Sequence, residues 1–248
     1  MKIENSVFNI QKLDSTESTN KYCEALDLAE VEDFTCFWAL EQTAGIGQRG
    51  NHWASAPGEN LTFSLVLKPD FLPAADQFRL TQALSLALTD TLSALNALRT
   101  IRIKWPNDIY VDGKKVCGTL ISTRLSGNCI NTAICGIGLN VNQVEFPDWV
   151  PNPTSLALLM GRTYDLESLL MQLMQHIEAR YADLRHGIDP TPDYLALLMN
   201  RNVEARYLYE GEEITATITG IDRYGHLQLT AADGRRLSCA IKEIAFLL

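Results

Sequence analysis

Two stretches of the 248-residue chain carry residue types and spacings that could do chemistry. The first, 41–58, reads EQTAGIGQRGNHWASAPG and holds four of the fifteen glycines. Within it, Gly45-Ile46-Gly47-Gln48-Arg49-Gly50 matches GxGxxG, the signature of a glycine turn that opens a helix onto a pyrophosphate. The context rejects that reading, because Asn51-His52-Trp53 and then Pro57-Gly58 follow where the helix would have to start. A protein-kinase loop is rejected as well, since no HRD or DFG triplet follows. What survives is a long glycine-rich loop between two strands, able to fold over an anionic ligand and offer backbone N–H groups at close approach. Arg49 would add a fixed positive charge, and Trp53 a flat apolar face for a heterocycle. The competing reading is a surface loop without a ligand; loops beyond about 12–15 residues are usually functional or disordered, and the terminal aromatic favours function.

The second stretch is Lys104-Trp105-Pro106-Asn107-Asp108 and the hairpin after it, which carries Lys114 and Lys115. Between Arg99 and Lys115, five basic residues (Arg99, Arg102, Lys104, Lys114, Lys115) face two acidic ones (Asp108, Asp112), a local charge of +3 in a chain of net charge −9. Strand alternation places Arg102 and Lys104 on one face and turns Ile101 and Ile103 to the core. Pro106 ends the strand and leaves Asn107 and Asp108 at its mouth. Such a cluster suits a carboxylate or phosphate ligand, with Asp108 available to hold Mg²⁺ or to orient a lysine. A solvated hairpin with surface lysines is the alternative. Two weaker signals are Glu17-Ser18-Thr19-Asn20, a helix cap when taken alone, and Gly136-Ile137-Gly138-Leu139-Asn140-Val141-Asn142, a strand end with a turn.

Composition limits the classes of function. A pI near 4.9 and no basic domain argue against a duplex nucleic-acid binder. No apolar run approaches the ~18–20 residues that span a bilayer, and the N-terminus lacks the pattern of a secretory signal. Six cysteines form no CxxC pair and four histidines are scattered, so reduced thiols in a cytoplasmic protein are expected, without a structural metal.

The elements that must position these residues follow from periodicity. Leu166, Leu169, Leu170, Leu173, Met174, Ile177, Tyr181 and Leu184 predict a helix over 165–185 capped by Asp165. Leu80, Leu84, Leu88 and Leu95 predict another over 76–98 starting at Asp76, and a short helix is expected after Ser18, whose hydroxyl would cap it. Strands are expected at 34–41, 60–67, 100–104, 108–121 and 130–138, with Asp112-Gly113 as a hairpin turn. Hairpins with irregularly interspersed helices indicate an α+β protein with a mixed sheet rather than a strict βαβ winding. After Asn200 the texture becomes short alternating strands with turns at Glu210-Gly211, Tyr224-Gly225 and Asp233-Gly234. The expected division is therefore 1–199, a larger α+β domain, and 200–248, a small all-β barrel or sandwich that leans on it.

Taken in order, the islands resemble the biotin protein ligases. The family pattern has an STN segment (here Ser18-Thr19-Asn20), a QTAGRGRRGRxW loop (here Gln42 to Trp53), KWPND (Lys104 to Asp108 in full), a GKKxxGxL hairpin (Gly113 to Leu120) and GIGxNVN (Gly136 to Asn142). The resemblance covers most of 18–142 and makes 1–199 the catalytic domain, and the family's C-terminal SH3-like β-barrel agrees with the all-β reading of 200–248. It implies two steps: the biotin carboxylate attacks the α-phosphate of Mg·ATP to give biotinyl-5′-AMP, and a specific lysine of a biotin carboxyl carrier protein then displaces AMP. It makes Lys115 the cation bridging carboxylate and phosphate, with Asp108 orienting it or helping to hold Mg²⁺. It assigns biotin to Ser18, Thr19, Asn20, Gln42, Gly45, Ile46, Gly47, Gln48, Lys115 and Gly118, and ATP to Arg49, Trp53, Lys104, Asn107 and Asn140.

Two departures from the pattern matter: Ile46 and Gln48 stand where the family has loop arginines, against the carboxyl or phosphate end of the ligand. Weaker retention of biotin and adenylate is the expected consequence. Ser18 also lies too near the start for the DNA-binding domain that some members carry, so a ligase without transcriptional regulation is expected. A catalytically weak biotin or adenylate binder, and a lipoate-type acyl ligase of the same fold, are the alternatives; a homodimer through an exposed sheet edge is possible.

Overall fold

The computed structural model describes residues 8–95 and 99–247, the Arg49 side chain excepted. Seven strands form one sheet: β1 (Asn9–Thr16), β2 (Thr35–Gln42), β3 (Leu61–Leu67), β4 (Ile101–Lys104), β5 (Asp108–Val111), β6 (Lys114–Ser126) and β7 (Cys129–Leu139). Their spatial order is β1-β2-β3-β7-β6-β5-β4, with β1 and β2 parallel and every other neighbouring pair antiparallel. This is the expected mixed sheet. The sequence LTFSLVL is buried at every position, which places β3 centrally. Asp112 and Gly113 both take positive φ (49° and 79°), the backbone that a two-residue hairpin needs between β5 and β6.

Two long helices, α2 (Phe78–Leu95) and α4 (Leu166–Arg185), pack together and bury their leucines in the main core. Asp165 caps α4 as expected, its carboxylate accepting from Ser168 N at 2.9 Å. The start of α2 differs from expectation. Asp76 sits in a short 3₁₀ turn ahead of the helix, and its carboxylate is bound instead by Arg223. Residues 96–98, the expected end of that helix, lie outside the described residues. The short helix after Ser18 is α1 (Thr19–Glu24), but the Ser18 hydroxyl makes no capping bond. On α1's side of the sheet a second, smaller core joins Cys23 and Leu28 to Phe37, Val66 and Ile134. Two short helices, α3 (Leu156–Met160) and α5 (Thr191–Leu197), complete the helical set.

Strands β8 (Glu204–Tyr209), β9 (Glu212–Ile221), β10 (Leu227–Ala231), β11 (Arg236–Cys239) and β12 (Ile244–Phe246) form a second, antiparallel sheet in the order β11-β10-β9-β8-β12. Among the described residues β11 and β12 do not pair, so the expected barrel is an open sheet. It is fastened to the larger sheet's helices and loops at one turn. Arg223 places Nε and Nη2 at 2.7 and 2.8 Å from the two Asp76 carboxylate oxygens. Trp105 Nε1 donates to Gly225 O at 2.9 Å, and Gly225 (φ 88°) lies so close to the Phe78 ring that no Cβ would fit. Among the described residues no helix is long and apolar enough to cross a membrane.

Candidate active site

A cavity of about 630 Å³ opens where α1, the glycine loop, the β5–β6 hairpin, β7 and β12 converge. At its inner end the polar groups of the STN segment are held by one another. Gln42 Oε1 accepts from Thr19 N at 2.8 Å and from Thr19 Oγ1 at 3.2 Å. Ser64 Oγ lies 2.7 Å from Thr19 Oγ1 and 2.5 Å from Asn20 Oδ1. Asn20 Nδ2 donates to Leu120 O at 3.2 Å. Ser18, Thr19 and Asn20 are all buried, and Gly136 lies so close to the Asn20 amide that any side chain there would collide with it. Neutral donors and acceptors locked before a ligand arrives suit an uncharged heterocycle rather than a second charge.

The glycine loop is folded by its own backbone. Trp53 N donates to Gly45 O at 2.9 Å, Gly47 N to Asn51 O at 2.7 Å, and Ile46 bridges His52. Gly45 is required because a Cβ would stand 2.6 Å from Trp53 O. The loop thereby lays the Trp53 indole over Gly118 and Gly138, which face each other across β6 and β7. A Cβ on Gly138 would enter the indole, and one on Gly118 would lie 3.2 Å from it.

Lys115 reaches the same point. Its Nζ is 2.8 Å from Asp108 Oδ2 and 5.6 Å from the centre of the Trp53 ring, and both partners of the ion pair are about three-quarters buried. Lys104 lies over the rings of Tyr110 and Phe246 at 5.8 and 5.3 Å. Burial and, secondarily, the Asp108 charge push the Tyr110 phenol up to about 12, so it stays neutral. Burial likewise raises the Cys117 thiol far above its ordinary range, which removes it as a nucleophile.

The structure brings Ser18, Thr19, Asn20, Gln42, Ile46, Gly47, Gln48, Trp53, Lys104, Asp108, Lys115, Gly118 and Asn140 onto the cavity wall. Asn140 is buried, donates Nδ2 to Thr154 O at 2.9 Å and leaves Oδ1 without a partner. The expected Arg49 side chain lies outside the described residues, and two other expected residues stand elsewhere. Asn107 is buried behind the wall, its amide donating to Thr119 O, and Gly45 serves the loop's fold. Of the five basic residues between 99 and 115, only Lys104 and Lys115 line the cavity; Arg99 is bound to Asp112 at 2.7 Å and to Leu159 O. Sequence reasoning missed Ser64, whose signal was a second hydroxyl, two residues after Thr62, in a strand otherwise apolar, and the aromatic rim of Phe146, Trp149 and Phe246. Among the described residues no group of three or more His, Cys, Asp or Glu could hold a metal ion.

Comparison with known proteins decides the family. The profile of the Biotin/lipoate A/B protein ligase family matches residues 13–140, and that of the Biotin protein ligase C terminal domain matches 198–245. The chain belongs to the biotin protein ligase family. It is 39% identical over 234 residues to the biotin–[acetyl-CoA-carboxylase] ligase of Paracoccus denitrificans, covering 90% of this chain and 94% of that protein. It is 32% identical over 231 residues to the bifunctional ligase/repressor BirA of Bacillus spizizenii, covering 89% of this chain and 69% of that one. Among solved structures, the biotin protein ligase of Aquifex aeolicus in complex with biotin and ATP superposes with a TM-score of 0.80 at 25% identity, covering 96% and 97% of the two chains. The fold class read from the sequence is thus that of the biotin ligases, with the C-terminal sheet open.

Proposed function

We propose that the chain is an ATP-dependent biotin protein ligase, and the observation that carries this is the Lys115–Asp108 pair set between the neutral STN pocket and Trp53. In the first step a biotin carboxylate oxygen bonds to the α-phosphorus of ATP and pyrophosphate leaves. In the second, the amine of an acceptor lysine attacks the biotinyl carbonyl, AMP leaves, a proton is released and an amide forms. Two anions must meet in the first step, and a fixed cation in a water-poor site offsets their repulsion far more than a solvated one does. Lys115 supplies that cation, and Asp108 holds its ammonium on station. Ser18, Thr19, Asn20 and Gln42 bind the ring system; Trp53 packs on the base; Lys104 and Asn140 face phosphate and ribose. Gly47 and the loop around it close over the adenylate and keep water from hydrolysing it.

Mg²⁺ fits as an ion that arrives on the nucleotide, because Asp108 offers one carboxylate and is already paired with Lys115. When bound, it would neutralise phosphate charge. The acceptor is a carrier domain of a biotin-dependent carboxylase, and the reaction belongs in the cytoplasm with that carrier.

Biotin-dependent exchange of labelled pyrophosphate into ATP tests the first step. The chain should exchange, and Lys115→Ala should abolish exchange while leaving the melting temperature nearly unchanged. Exchange with lipoate in place of biotin, or none with either, would overturn the assignment.

A further inference from the structure

Lys115 sits at an awkward point of the sheet. Strand β5 pairs regularly with β6 at Asp108↔Gly118 and Ile109↔Cys117, then jumps to Tyr110↔Lys115. Val116 is the extra residue of a β-bulge, a device that bends a strand and re-aims its side chains. On the other side, β7 ends at Leu139 opposite Cys117, so the neighbouring strand has stopped before Lys115 is reached. A bulge on one side and a missing strand on the other leave the backbone of Lys115 weakly held by the sheet itself.

The chain segment 152–154 takes the place of the missing strand. Lys115 N donates to Asn152 O at 2.9 Å, Thr154 N donates to Lys115 O at 2.8 Å, and Lys115 bridges Pro153 in parallel sense. The bulged Val116 carbonyl accepts from Asn140 N at 2.9 Å. Asn152 fixes this clasp. It adopts a left-handed backbone (φ 48°), and its Nδ2 donates to Gly113 O at 2.8 Å, two residues before Lys115. Its own side chain is exposed and is not part of the cavity wall.

We infer that Asn152 is a positioning residue: it clamps the Gly113–Lys115 backbone so that the Lys115 ammonium stands between Asp108 and the ligand. This role rests on the proposed ligase reaction. A group that sets geometry without touching substrate should affect the chemical step and not binding, because an error of about 1 Å in a reacting group can cost on the order of 10²-fold in rate.

The test is steady-state pyrophosphate exchange by Asn152→Gly, which accepts the left-handed backbone but lacks the amide, and by Asn152→Asp, which keeps the size but turns an acceptor toward the Gly113 carbonyl. Both should lower kcat by about tenfold, with KM for biotin and for ATP changing by less than about twofold, while melting temperatures stay close to that of the parent chain. An unchanged kcat, or a rise in KM at constant kcat, in either folded variant would overturn the role of Asn152 and leave the ligase assignment intact. Absence of exchange in the parent chain would overturn the assignment, and this role with it.

Discussion

At the scale of single residues, the reaction turns on keeping two anions together long enough to react. The Lys115 ammonium is held at 2.8 Å by Asp108, so removing the carboxylate should misplace the cation rather than delete it. Asp108→Asn should therefore retain measurable exchange where Lys115→Ala retains none, a difference read in one assay. Ile46 lines the same cavity without a charge. Replacing it with arginine would add a charge-assisted hydrogen bond to the carboxyl or phosphate end of the ligand, worth roughly 1.5–3 kcal/mol, or about one to two decades in affinity. Ile46→Arg should tighten biotin binding in a calorimetric titration; an unchanged or weaker constant would show that Ile46 does not face that end. These residues were legible from sequence because each motif is local, with STN, the glycine loop and KWPND each contiguous. Asn107 was expected on the wall and stands behind it for a related reason. The motif gives its neighbourhood, whereas the choice between facing the cavity and bonding to Thr119 depends on a strand twelve residues away.

At the scale of elements, two glycines facing each other across β6 and β7 clear a flat bed on which the Trp53 indole rests. The glycine-rich loop is long but not loose, since Gly45, Gly47, Asn51 and Trp53 tie it together through backbone hydrogen bonds. Gly138→Ala should displace the indole and raise KM for ATP, whereas alanine at Gly220, which has open space around it, should change nothing. Intrinsic tryptophan emission, recorded with and without ligand, gives a second reading of the displacement. Helix α4 and strands β2, β3, β6 and β7 were legible because their apolar patterns span many residues. The four-residue strands β4 and β5 were legible because a period of two needs few residues and the Asp112-Gly113 turn follows. Strand β1 was not: NIQKLDST buries one residue fully and pairs along a single edge, so it carries almost no hydrophobic alternation. The short helices α3 and α5 span five and seven residues, too few for a 3.6-residue period to be read. The clasp at Asn152 was invisible for a different reason, since a single asparagine carries no period and its partner Gly113 lies 39 positions away in the chain.

At the scale of the whole molecule, the five-stranded sheet lends Ile244, Ala245 and Phe246 to the cavity, so its docking is part of the site. The fastening is the Arg223–Asp76 pair, together with the bond from Trp105 to Gly225. The guanidinium of Arg223 holds the buried Asp76 carboxyl below its ordinary value. A carboxyl depressed in the folded state stabilises the fold above its unfolded pKa, near 4, and loses that contribution as pH falls through the lower folded value. Arg223→Ala should therefore melt below the parent chain at pH 7, and the gap should narrow as the pH drops below about 4. A gap that stays constant with pH would rule out this pair as the fastening. The sequence marked this sheet by its turns and left barrel or sandwich open, the family resemblance implying an SH3-like barrel. The outcome depends on β11 meeting β12 across the whole unit, which local alternation cannot encode. The net charge of −9 likewise hid where its exceptions lie, for of the five basic residues at 99–115 only Lys104 and Lys115 reach the cavity.

The central claim is transfer of biotin to a protein lysine, and mass analysis tests it most directly. The chain is incubated with biotin, Mg·ATP and a biotin carboxyl carrier domain, and the carrier is then weighed and digested. The account predicts one biotinyl amide on one lysine of the carrier, absent without ATP and absent with Lys115→Ala. A carrier left unmodified by the folded parent chain under these conditions would contradict it.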